Sequence, residues 1–310
     1  MLALPFGNSM AGFWYNADMF KELGLDPQVE LGSYERILEV SRQLKAKGIE
    51  YPYYQHPSSS FISMAMTAQG IPYMDNNNGK DGVPTKSLFG EVGSDCYNAT
   101  VSFFDFLQTM TKEELMVPYG ASANDGRAMW ANGQVAIYDH FISGFTTCRD
   151  AVAGNFEFGW RGVGTVDDVP AVGTGATGAC LFISNKGDAV KENAAWECLK
   201  YLASPENVVE FAKSSGYLPV TSEGIETEEY QTFIKEEFPT AQYAIDLQAS
   251  TPENVYNAWI PMFTDYHALC NEYYGYACTH LDETPEQVAE KFAAAVDECI
   301  ELYRLQYGLN

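Results

Sequence analysis

The sequence is poor in basic residues: 18 Lys and Arg stand against 42 Asp and Glu, a formal net charge of -24 over 310 residues. A field of that sign repels phosphate backbones and anionic lipid, which argues against nucleic-acid binding and docking on a charged membrane surface. No run of about 18 apolar residues occurs, so nothing reads as a membrane-spanning helix. Residues 1–15 carry no basic stretch and are interrupted by Pro5, Gly7, Asn8 and Ser9, so they do not read as a signal peptide. The seven cysteines form no C-x-x-C and no cluster with zinc spacing, and their odd number argues against a full disulfide framework. Most of them read as small core residues, with Cys270 and Cys278 the most plausible pair. No G-x-S-x-G, H-E-x-x-H, Walker A or Rossmann fingerprint is present, and "GTGATG" lacks the Lys-Ser/Thr that follows a phosphate loop. No catalytic residue, metal or cofactor is therefore expected.

What is present is apolar material for a large core. Hydrophobic residues make up 46% of the chain and aromatics 14%, enough for one large domain or two lobes. Strands are read in "QVAIYDHF", in "FEFGWRGVGTV" and at the end of "GTGATGACLFIS"; helices alternate with them, the pattern of α/β layers. "SYERILEVSRQLKAKG" puts Ile37, Leu38, Val40 and Leu44 on one helix face, with Ser33 as its cap. "SPENVVEFAK" begins with Ser204 as cap and Pro205 in the first turn. Thr284 to Gln287 is a capping box, after which Val288, Phe292, Ala295, Val296, Cys299 and Leu302 make one apolar face. Trp14, Trp130, Trp160 and Trp196 are expected in the core, and Arg161 in a local salt bridge. Helices crowd toward the C-terminus, which fits a single doubly wound sheet poorly.

Several stretches together resemble one family. "YNADMFKELGLDP" resembles the Y-N-x-D-x-F-x-x-x-G-L-D-P segment of family 1 extracellular solute-binding proteins, the ligand receptors of ABC importers for sugars and glycerol phosphates. "GRAMWANGQVAIYDHF", "FGWRGVGTVDDVPAVGTGATGACLFIS", "NAAWECLKYLASPENVVEFAKSSGYLPVTS" and the C-terminal helix follow in the family's order. The resemblance implies a two-lobed, periplasmic-binding-protein-like (type II) α/β fold with the ligand between the lobes. Residues 1–12 would be an inter-lobe crossing, 13–162 lobe two, 163–225 part of lobe one, and 226–310 C-terminal helices packing on lobe two. Lobe one would be incomplete in this chain, which resembles the C-terminal part of such a receptor. A signal sequence and a lipid anchor would belong to the portion before it. The implied work is non-catalytic: a carbohydrate is held in the cleft and delivered by hinge closure to the importer's permease subunits, at the extracellular face of the membrane or in the periplasm.

Sugar binding needs aromatic faces for C–H patches and planar polar groups for hydroxyl pairs. The resemblance places Trp259 and Tyr217 where family members present aromatics to the cleft, and Asn8 and Ser9 just before the first crossing. Gly175, Ala176 and Thr177 precede a strand, where small residues admit a ligand to backbone N–H groups. Ser59 and Ser60, with Phe61, stand at a helix start that can bond a hydroxyl or phosphate. His140 and Phe141 close a strand at a cleft-like position. Each has a plain structural alternative in capping, turn formation or packing. "WIPMFTDYHAL" offers no arginine where the glycerol-phosphate branch carries one, which favours a neutral carbohydrate. Two rival classes stand beside this reading: a carbohydrate-active enzyme using a carboxylate pair, and an interaction module exposing an apolar face.

Overall fold

A computed structural model describes residues 3–58 and 60–309. In chain order the elements are strands β1 (Leu4–Ser9) and β2 (Gly12–Asn16), helices α1 (Ala17–Leu23), α2 (Pro27–Glu30) and α3 (Tyr34–Ala46), and strand β3 (Tyr53–Tyr54). Helices α4 (Ser60–Ala68), α5 (Asp75–Asn78), α6 (Asp95–Lys112) and α7 (Ala123–Ala131) precede strand β4 (Ile137–Asp139), helix α8 (Phe145–Val152) and strands β5 (Phe158–Gly162) and β6 (Thr177–Leu181). Helices α9 (Ala189–Leu202), α10 (Pro205–Ser215), α11 (Ser222–Ile225), α12 (Glu228–Glu236), α13 (Thr240–Ala249), α14 (Phe263–Thr279) and α15 (Pro285–Gln306) complete the chain.

The strands form two sheets. One is four-stranded, in the order β3-β4-β2-β5, with β2 antiparallel to both neighbours and β3 parallel to β4. Every residue of β2 is buried. Side chains alternate across a strand, so "GFWYN" can be buried throughout only if both faces of the sheet are covered. They are: Phe13 and Tyr15 enter a core built largely with α3, α4, α6, α14 and α15. Trp14 enters a second core with Trp130, Trp160, Phe145 and Phe238, shared by α7, α8, α10, α12 and α13. The other sheet pairs β1 with β6 antiparallel, Asn8 opposite Gly178 and Ser9 opposite Thr177. Only Met10 and Ala11 separate β1 from β2, so one extended segment runs from the small sheet into the large one.

Local chemistry sets the ends of these elements. Ser33, Ser94, Ser122 and Thr284 accept backbone N–H groups at the starts of α3, α6, α7 and α15, with capping boxes at Ser122 and Thr284. Ser204 stands at the start of α10, but its hydroxyl accepts from Asn207 Nδ2 at 3.0 Å and does not cap the helix.

Four other expectations need correction. Trp196 is 46% exposed, because α9 buries none of its residues. Cys270 and Cys278 are free thiols; eight positions apart on α14, they are separated by about 12 Å of helix rise, beyond the reach of a disulfide. Arg161 lacks a salt bridge among the described residues and donates instead to the carbonyls of Gly162 at 2.8 Å and Val163 at 3.2 Å. Leu302 is exposed: the buried row of α15 is Val288, Phe292, Val296 and Ile300, spaced four apart, and Leu302 lies off it.

Candidate functional site

The joint between the sheets gathers most of the expected residues. β1 presents Asn8 and Ser9 in succession, hence to opposite sides. Ser9 is buried; its hydroxyl lies 3.0 Å from Ser143 Oγ and accepts the Ser143 N–H at 3.3 Å. It ties β1 to the turn after β4. Asn8 Nδ2 donates to Gln248 Oε1 on α13, and its backbone exchanges hydrogen bonds with Leu218 at 3.1 and 2.8 Å.

Those Leu218 bonds bring the segment after α10 alongside β1. α10 ends at Gly216, whose φ of 85° suits glycine, and whose missing side chain leaves room for the Ser143 carbonyl. Tyr217 follows, stacked on Phe211 at 5.6 Å. A Cβ at Gly7 would strike both rings. Asn8, Ala176 and Thr177 line a cavity of about 490 Å³ together with Thr221, Ser222 and Gln248.

Gly175 is buried against Met64 and Asn257, where a side chain would collide. Asn257 donates to the Ala176 carbonyl at 3.0 Å and accepts from Thr67 Oγ1 on α4 at 2.9 Å, so it fixes the approach to β6. Two residues on, Trp259 is 60% exposed, its backbone held by an N–H bond to the Asn78 carbonyl at 2.9 Å.

On the other side of β1, His140 stacks between His56 at 4.8 Å and Tyr138 at 5.3 Å, with Phe141 edge-on to both imidazoles. The indoles of Trp14 and Trp160 donate to the carbonyls of Phe141 and His140 at 3.1 and 3.3 Å and hold that turn. Burial pushes both imidazoles down to about 4; for His56, the neighbouring His140 and His267 add to it. Both are neutral at physiological pH. Beside them Asp139 is fully buried and accepts from Gln55 Nε2 and from Tyr53 at 3.3 Å. Burial nonetheless holds its carboxyl well above the usual carboxylate range. This part of the joint therefore offers aromatic rings and uncharged imidazoles.

Asn8, Ala176 and Thr177 thus share one cavity, Tyr217 and Gly175 flank it, and His140, Phe141 and Ser9 lie across the strand. Trp259 is joined to the group only through the Asn257 segment. Ser59 lies outside the described residues; Ser60 and Phe61 open α4, and their side chains are not described. Gln248, Asn257 and His56 were not anticipated. His56 stands just before the serine run, the one nearby signal; Gln248 meets Asn8 across 240 residues, and nothing local marks it.

The fold is shared with known two-lobed receptors. The acarbose receptor GacH of Streptomyces glaucescens superposes with a TM-score of 0.73 at 13% identity, covering 97% of this chain and 71% of that one. UgpB of Mycobacterium tuberculosis, solved with glycerophosphocholine, gives 0.72 at 17% identity, with 97% and 71% covered. Maltose-bound MalE3 of T. maritima gives 0.72 at 15% identity, with 97% and 72% covered. The architecture is that of the type II periplasmic binding proteins.

The sequence then places the chain within that class. Residues 1–240 match the bacterial extracellular solute-binding protein family, and the chain belongs to it. It is 26% identical to the sn-glycerol-3-phosphate-binding periplasmic protein UgpB of Pectobacterium atrosepticum over 258 residues, 81% of this chain and 55% of the relative. The Shigella flexneri protein of the same name is 26% identical over 235 residues, 75% and 52% of the two chains. The chain spans about half the length of these curated relatives. Family membership places it at the extracellular face of the membrane or in the periplasm, and no helix among the described residues is long and apolar enough to cross a membrane.

Proposed function

We propose that this chain belongs to a non-catalytic solute receptor of an ABC importer, and that it binds a neutral mono- or oligosaccharide where the two sheets meet. In this reading residues 1–12 cross between lobes, 13–162 and 226–310 build one lobe, and 163–225 contribute to the other. Ligand stabilises the closed arrangement of the lobes, and the closed form is what the permease subunits receive. A lipid anchor outside these residues would account for any membrane association.

The observation that carries the reading is the chemistry of the joint. Amides and hydroxyls from Asn8, Thr177 and Gln248 line one cavity, and Tyr217, stacked on Phe211 against Gly7, supplies aromatic surface beside it, a combination that suits the mixed hydroxyl and C–H surface of a sugar. Isothermal titration of the chain with maltotriose, cellobiose, mannobiose and sucrose tests it: one of them binds, and none is turned over. Release of product from any of them would replace this reading with an enzyme. Trp259→Ala is expected to weaken the sugar that binds by at least about tenfold without changing the melting temperature, because the ring is mostly exposed. Unchanged titration would remove Trp259 from the site.

A second reading has a specific observation behind it: the curated relatives are named for sn-glycerol 3-phosphate. Binding of that phosphate in preference to every sugar would establish it.

A further inference from the structure

The cavity beside β1 has a composition that the rest of the chain does not share. Aspartate, glutamate, lysine and arginine make up 19% of the sequence, yet none of the described residues lining this space of about 490 Å³ is charged. Its polar atoms come from Asn8, Thr177, Thr221, Ser222 and Gln248.

Two of these form a pair. Asn8 Nδ2 donates to Gln248 Oε1, which joins β1 to α13 and fixes both carboxamides. Among the described residues, no partner takes up Gln248 Nε2 or Asn8 Oδ1. Reversing the O/N assignment of both amides leaves the same remainder, one donor group and one acceptor side by side. Vicinal hydroxyls present a donor and an acceptor in the same way. A phosphate group placed against the pair presents acceptors only: it would leave Asn8 Oδ1 unpaired, with no cation in the lining to neutralise it.

We propose that Gln248, oriented by Asn8, is a ligand-contacting residue that selects an uncharged ligand presenting vicinal hydroxyls to the pair and disfavours one that places a phosphate group there. This rests on the receptor reading above and adds the residue and the ligand class. Asn8 and Gln248 are half-buried, and a seated ligand would cover the pair; discrimination arises because an amide covered without a partner costs more than a paired one returns.

Gln248→Glu separates ligand contact from scaffolding. It keeps the acceptor that Asn8 uses and replaces the free donor by a carboxylate oxygen. Expected is a loss of about tenfold or more in affinity for whichever of maltotriose, cellobiose, mannobiose or sucrose the parent binds, with unchanged circular dichroism and melting temperature. Gln248→Lys places a cation in the lining; the sugar is expected to be lost and sn-glycerol 3-phosphate to bind. If the parent binds a sugar and Gln248→Glu binds it equally, the assignment of Gln248 is overturned and the receptor reading stands. If the parent binds sn-glycerol 3-phosphate and no sugar, the ligand class is wrong and a receptor remains. If the parent binds none of these probes, the receptor reading fails and takes this inference with it.

Discussion

The two sheets are joined by two residues and are stabilised in opposite ways. The four-stranded sheet is covered on both faces, and Trp14, Trp130 and Trp160 are completely buried around it. Beyond Gly7 and Ser9 the two-stranded sheet has little cover, and α9 has none: Phe182, just past β6, is 73% exposed, Tyr201 is 69% exposed, and α9 buries nothing. Both regions are rich in apolar residues, so composition alone does not distinguish them. An apolar face in a sequence states that something should cover it, and only the three-dimensional arrangement says whether anything does.

Thiol reactivity should break the two regions apart most widely. Cys180 and Cys198 are exposed on β6 and α9, whereas Cys96, Cys148, Cys270 and Cys278 are buried in the covered region. Under native conditions the first two should label with iodoacetamide at least about a thousandfold faster than the other four, which must wait for opening of the core. Mass spectrometry of timed samples reads this, and similar rates would erase the distinction.

Substitution gives the next largest effect. Trp14→Ala removes a ring packed against Phe158 and near-parallel to Phe145 and Phe238. It should cost about 3–5 kcal/mol in urea unfolding. The same change at the exposed Trp196 should stay within about 0.5 kcal/mol, the smallest effect of the set.

Between them lies the pH response of the covered region. The Asp139 carboxyl is raised above its ordinary 3.8 by burial, so it disfavours folding increasingly as pH rises above that value. His56 and His140, lowered from 6.5 to about 4, act the other way: their contribution is complete above 6.5 and is lost as pH falls toward 4. Asp139→Asn should therefore stabilise the protein by about 1–3 kcal/mol at pH 8. That advantage should shrink toward pH 4 and leave the acid loss due to the histidines steeper. A variant less stable than the parent at every pH would show that the carboxyl is ionised and paired.

Much of this was legible beforehand, for physical reasons. The core positions of Trp14, Trp130 and Trp160 followed from their apolar surroundings, and the capping box at Thr284 fixed the start of α15 to the residue. Asn8, Ala176 and Thr177, candidates in the sequence for ligand contact, line one cavity. Gln248 was not legible, because its meaning depends on where α13 is laid against β1. Asp139 stands in the strand read at "QVAIYDHF"; its complete burial beside Gln55 and Tyr53 is a property of packing. Trp196 shows the converse, an amphipathic helix whose partner face is not supplied.

The two-residue step between β1 and β2 has a mechanical consequence. If the small sheet swings relative to the large one, displacement grows with distance from the pivot, and Met10 and Ala11 sit at the pivot itself. Ser9 and Asn8 then work on the shortest lever arm in the molecule, and the Ser9–Ser143 contact is strained least by the swing. In the proposed receptor Trp259, outside that joint, would move through a longer arc, so closure would adjust grip there and keep alignment at the pivot.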